Sequence, residues 1–290
     1  MKQASISAAV PRPAAGPEFS GWSVKSILAA GARAWNFSLR QTMFISLIVP
    51  ALVMLAGAAT ALMGKEVYKW FTGEDGAAEN LQVLFFALAW ILCFPVIARL
   101  WKAGAQAGQA KLFAVMYLVL SLGLGFIIGE ELSWGQRIFG WETSKEMKAI
   151  NKQEETNLHN IEGVGDKIKW IHVLMGAYGT ILPLIFLRAQ ISARPLDAVS
   201  LLVPHFTLLP YFFSTLVWRL QANLWKPPKS LYFVITEYSE VMELVLAVAF
   251  FVFLLFQFRS LKSLEKPAIV EDPVLNSTQR VNLAGNHRAR

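Results

Sequence analysis

Residues 112–129 read LFAVMYLVLSLGLGFIIG, and residues 130–140 continue directly as EELSWGQRIFG. The first stretch carries no charge over a length close to the ~20 residues that a helix needs to cross a ~30 Å hydrocarbon layer. The second opens with two carboxylates at the end of that helix, where an ionised group is costly unless it is paired or wet. A membrane helix that delivers acids to one membrane face decides the fold class and marks where function is sought.

Five further apolar runs lie on either side, at 42–63, 81–100, 170–187, 196–220 and 231–258. Composition agrees, since 55% of the residues are hydrophobic and only 16% charged, where a soluble domain carries roughly a quarter charged residues. The prediction is an all-α, polytopic transmembrane helical bundle of six spans over residues 42–258, with a structured outer loop at 130–169. The lipid bilayer is its first partner. The fifth span contains Pro204, His205 and Pro210, so a kink or break is expected there.

Outside the bundle, residues 1–41 form a cytoplasmic tail. Its first 20 residues, with Pro11, Pro13 and Pro17, are expected to be disordered. From Gly21 to Gln41, Trp22, Ile27, Leu28, Trp35 and Phe37 mix with Lys25, Arg33 and Arg40, the pattern of a helix lying at the membrane interface. Residues 259–290 read as a second disordered cytoplasmic tail.

The net charge of +7 does not indicate a nucleic-acid partner, because the basic residues flank apolar runs and act as topology signals. With the amino terminus inside, the cytoplasmic side holds 16 of the 27 Lys and Arg but only five of the 20 acids: Glu18, Asp197, Glu265, Glu271 and Asp272. An N-in/C-in arrangement in the cell's inner membrane follows from the positive-inside tendency. Cys93 is the one cysteine and sits in an apolar run, which leaves ordinary packing as its role.

The connection after residue 129 is the longest between spans, and long structured connections are where sites tend to be built. Glu130, Glu131, Ser133, Trp134, Gln136 and Arg137 are followed by Trp141-Glu142-Thr143 and then by Asn151, Gln153, Glu155, Asn157, Leu158, His159 and Asn160. This stretch resembles a family of bacterial polytopic membrane proteins without an assigned activity. That family shares Glu-Glu-x-Ser-Trp-Gly-Gln-Arg followed by Asn-x-Gln-x-Glu-x-Asn-Leu-His-Asn. A weaker likeness falls at Glu74-Asp75-Gly76 and Glu79. Where the family places a proline after Trp-Glu-Thr, this chain has Ser144.

Glu130, Glu131, Arg137 and His159 are the candidate catalytic residues, with Arg137 expected as counter-ion to the acid pair. If residues 151–162 form a helix, Glu155, His159 and Glu162 fall on one face, an arrangement suited to proton transfer or metal ligation. The sixth span adds Glu237, Glu240 and Glu243 at three-residue intervals, one stripe that should face the bundle. Arg219, Arg137 and His172 are its candidate partners. Trp134, Gln136, Asn157, Asn160 and the three stripe acids are candidate substrate contacts. A divalent metal is admitted, with His159, His172 and Glu240 as candidate ligands. No haem is expected, because Gly163-Val164-Gly165-Asp166 interrupts any helix joining the two histidines. His205 is read as a core residue bonded to a neighbouring carbonyl, with substrate binding or proton relay as the alternative.

The expected function is that of a membrane-embedded, hydrolase-like protein, or one that binds a lipid or small molecule at the outer leaflet. The alternatives are a proton- or cation-coupled transporter and a non-catalytic scaffold; oligomerisation is compatible with each.

Overall fold

The structure, a computed structural model, describes residues 23–73, 75–104, 108–161, 163–193, 196–225 and 227–263. Among these residues the chain is all-helical, with one isolated antiparallel bridge between Asn151 and Ile161. Six helices are long and apolar enough to cross a membrane. Their main helices are labelled α1 (Leu39–Leu62), α2 (Ala77–Ala103), α3 (Gln109–Glu131), α4 (Gly165–Ile185), α5 (Leu209–Leu224), the continuous part of the fifth segment Ala198–Leu224, and α6 (Lys229–Ser263). Five of the six apolar runs lie along one of these helices, and the fifth, 196–220, begins before α5 and is interrupted ahead of it. The expected disorder of residues 1–20 and of the end beyond 263, and the expected roles of Glu74 and Glu162, lie outside the described residues.

The six helices are not equivalent. In α6, 72% of the most apolar window is buried, against 17–50% in the other five. A helix that is hydrophobic all round belongs in the middle of a bundle, and α6 packs on α2, α5 and α1, while α3 backs onto α2 and α4 onto α5. Two of these approaches depend on glycine. A Cβ on Gly57 of α1 would lie 2.6 Å from Val241, and one on Gly179 of α4 would lie 2.0 Å from the ring of Phe212. The outward faces are apolar as well, with Leu55, Leu122 and Leu174 each more than 60% exposed. Hydrocarbon suits such a surface, since helices satisfy their own backbone and leave only side chains to the surroundings.

The fifth apolar run breaks as its prolines predict. A short helix, Ala198–Leu202, ends before Pro204, and the chain restarts through a 3-10 turn, Phe206–Leu208, into α5. Gln190 bridges the gap, donating to the Pro204 carbonyl at 2.9 Å and accepting from the Phe206 amide at 3.0 Å. Within residues 21–41, a helix forms over Val24–Ala34, capped by Ser23. Its end presses Trp35 against His205, with ring centroids 4.4 Å apart, and stacks it on Phe256. An unforeseen amphipathic helix, Lys65–Thr72, precedes α2 and is tied to α6 by the Tyr68 hydroxyl, which donates to the Val234 carbonyl.

Candidate functional site

The connection between α3 and α4 folds back onto the end of α3. Ser133 and Trp134 adopt positive φ, 47° and 54°, a conformation that costs energy in residues with a Cβ and persists where the surroundings enforce it. The tight turn sends the Trp134 indole back to donate to Glu130 Oε1 at 2.7 Å. Glu130 Oε2 accepts from the backbone amides of Leu158 and His159, at 2.7 and 3.0 Å. Glu130 is therefore a buried clasp that holds the far end of the loop to α3.

Residues 151–161 form no helix, so Glu155 and His159 do not share a helical face. Asn151 Oδ1 takes the amides of Gln153 and Glu155, and this local bonding diverts the backbone from the helical ladder. Glu155 turns instead to Ser133 and Asn157, both at 2.7 Å. Gln136 accepts from Thr143 and from the Thr156 amide, and Asn160 donates to Gln153. Gln136, Asn157 and Asn160, expected as substrate contacts, thus spend their polar atoms within the loop. Ser144 caps the helix Lys145–Ile150 by accepting from the Met147 amide.

Arg137 also takes a partner other than the one expected. Its guanidinium pairs with Asp75 and Glu79 at the start of α2, and it meets Glu131 through that residue's carbonyl at 2.9 Å. The faint likeness around residues 74–79 was the one sequence signal for this clamp.

Below the loop the acids of three helices face one another. Glu243 of α6 pairs with Arg219 of α5, accepts from Gln82 of α2 at 3.4 Å and stands 3.6 Å from Nε2 of His172 on α4. Two of the three expected partners of the stripe are therefore present. Glu240 and Glu131 are different. Among the described residues neither carboxylate has a hydrogen bond or an ion pair, yet both remain half-buried. The charges of Glu243, Glu79 and Glu130 reach Glu131, and those of Glu243, Glu131 and Glu79 reach Glu240; Arg137 and Arg219 offset them but are engaged elsewhere. Glu237, one turn nearer the end of α6, acts on Tyr68 and so stands at the edge of this group.

The candidate metal ligands do not gather. His159 lies 3.5 Å from Glu130 and His172 lies beside Glu243, and no three His, Cys, Asp or Glu side chains among the described residues form a set able to hold a metal ion. The chemistry on offer is proton and cation exchange at unpaired carboxylates.

His205 stands near the other end of the bundle. It does not bond a carbonyl as expected: Nδ1 accepts from the Thr207 amide at 3.4 Å and lies 3.0 Å from the Thr207 hydroxyl. With Trp35, Gln190, Ser200, Phe256 and Gln257 it lines a cavity of ≈ 180 Å³. Glu243 and Gln257 are separated on α6 by ~20 Å of helix, so this cavity and the acidic group are distinct places.

Compared with protein-family models, curated proteins and solved structures, the chain matches none.

Proposed function

We propose that the chain is a proton- or cation-coupled carrier of the inner membrane, loading protons, or a small cation in their place, onto Glu131 and Glu240. In this reading the six long helices cross the bilayer with both termini cytoplasmic. The loop of residues 130–169 lies outside, and the likeness to the bacterial membrane-protein family reflects shared construction of that loop.

The observation that carries the proposal is the pair of carboxylates without counter-ions. Carboxylates within a membrane-spanning bundle are expensive and persist where they pair, meet water or bind something. Arg137 and Arg219 are engaged with Asp75, Glu79 and Glu243, which leaves Glu131 and Glu240 to a proton or a mobile cation. The metal-dependent hydrolase reading has less support, because the candidate ligands His159, His172 and Glu240 are not gathered and no set of side chains among the described residues can hold a metal ion to activate water. A scaffold or lipid-binding role draws on the exposed, stacked Phe139 and Trp141, features common at any membrane interface.

The test is flux in proteoliposomes holding the full chain. Proton or cation entry above that of empty vesicles is expected, reduced at least about tenfold in Glu240→Gln and in Glu131→Gln. Wild-type vesicles that carry neither protons nor Na⁺, K⁺ or Ca²⁺ would sink the proposal.

A further inference from the structure

His159 turns its two ring nitrogens toward different surroundings. Nδ1 is buried and lies 3.5 Å from Oε2 of Glu130. The side chain as a whole keeps 31% of its surface exposed, and among the described residues Nε2 is neither buried nor partnered. Nothing in the loop requires this of the imidazole, because the clasp on Glu130 uses the backbone amide of His159. The side chain is thus spare to the architecture, with one edge open and one edge against the first acid of the interior.

Charged groups continue inward from that edge. His159 faces Glu130 on α3, and its charge is felt at Glu243 on α6. Glu131 follows Glu130 directly at the end of α3, and Glu240 of α6 is close enough to Glu131 for the two charges to interact.

We infer that His159 is the proton port of the acidic group, taking a proton at Nε2 from the outer solution and passing one from Nδ1 to Glu130. The inference rests on the proton-loading reading above and adds to it a route of entry. The exchange balances within the ring: one proton is gained at Nε2 and one is lost from Nδ1 to Glu130. Before the next transfer the half-exposed ring swings to solvent, gives its Nε2 proton to water and takes one from water at Nδ1, so that each cycle delivers one proton inward. Imidazole suits the task because its two nitrogens are distinct and either can carry the proton. His159 is in this sense a relay and positioning residue for protons bound elsewhere.

The experiment uses the full chain in proteoliposomes loaded with a pH-sensitive dye and given an external acid jump. His159→Gln is expected to slow proton entry about tenfold, the lower range for loss of a positioned proton-transfer group. Free histidine in the external buffer, which bears an imidazole but does not cross the bilayer, is expected to restore much of the rate. Infrared titration of the carboxyl groups assigned to Glu131 and Glu240 should be unchanged in the same variant, since equilibrium loading does not depend on the port. A wild-type rate in His159→Gln overturns the relay and leaves the loading reading intact, and so does a slow rate that free histidine does not restore. Wild-type vesicles without proton entry overturn both. Should His159→Gln misfold, His159→Asn and the solvent deuterium effect on wild-type entry provide the same decision, with the relay requiring a rate that falls in deuterated buffer.

Discussion

Arg219 of α5 and Glu243 of α6 form an ion pair across the interior of the bundle, with 5% of the arginine side chain and 15% of the glutamate side chain exposed. Such a pair contributes little net stability when intact, because both charges have been taken from water, but losing one partner strands the other. Arg219→Leu should therefore destabilise the protein by about 3–5 kcal/mol. Arg219→Leu combined with Glu243→Leu should recover most of that loss. Thermal unfolding of the three proteins in one detergent checks the order, and a double variant weaker than the single would contradict it.

Arg137 holds the loop to α2 through Asp75 and Glu79. Replacing it with Gln removes both ion pairs while Glu130 keeps its grip on Leu158 and His159. Amide hydrogen exchange should therefore rise by roughly tenfold around residues 136–143, with smaller change at residues 157–159, since opening free energies differ from segment to segment. Uniform loosening of the whole loop would show that Arg137 and Glu130 act as one unit.

Glu130→Gln keeps the shape of the clasp but removes its charge and turns one acceptor into a donor. The Leu158 and His159 amides and the Trp134 indole then compete for a single oxygen, at a cost of about 1–3 kcal/mol for the group left unsatisfied. Trp134 fluorescence reports the rearrangement directly, and an unshifted emission would mean that the indole bond to Glu130 contributes nothing.

Gly179 permits the contact between α4 and α5. Its missing Cβ would fall 2.0 Å from Phe212, near the root of that ring, where bending is not cheap. Gly179→Ala should cost about 1–3 kcal/mol through overpacking, whereas Gly123→Ala, with open space around it, should be tolerated. Equal effects of the two substitutions on thermal stability would refute this account of the packing.

The long helices were legible from sequence because their signal is repeated over some twenty residues each, and the break at Pro204 was legible because proline removes a specific hydrogen bond. The pairing of Glu243 with Arg219 and His172 followed from depth along helices already located. The loop was not legible in the same way. Asn151 bonds the amides of Gln153 and Glu155, and nothing in the spacing of those residues distinguishes that hub from the first turn of a helix. Arg137 reaches acids about sixty positions earlier, a choice made by the packing of α2 against α3 and not by proximity in the chain. The unpaired state of Glu131 and Glu240 became visible only when the arginines had been assigned to others.

The apolar stretch of α6 from Leu244 to Phe256 has an electrical consequence. It is buried along most of its length and runs for ~20 Å, so in the carrier reading proposed above it acts as the insulating layer of a capacitor, and a voltage across the membrane falls mainly over it. A charge arriving at Glu240 has crossed little of that voltage. A charge completing the passage to the His205 end would cross nearly all of it, at about 2.3 kcal/mol for each 100 mV. Loading should consequently be indifferent to membrane potential, while any step that carries charge past Leu244 draws on the potential as its source of energy.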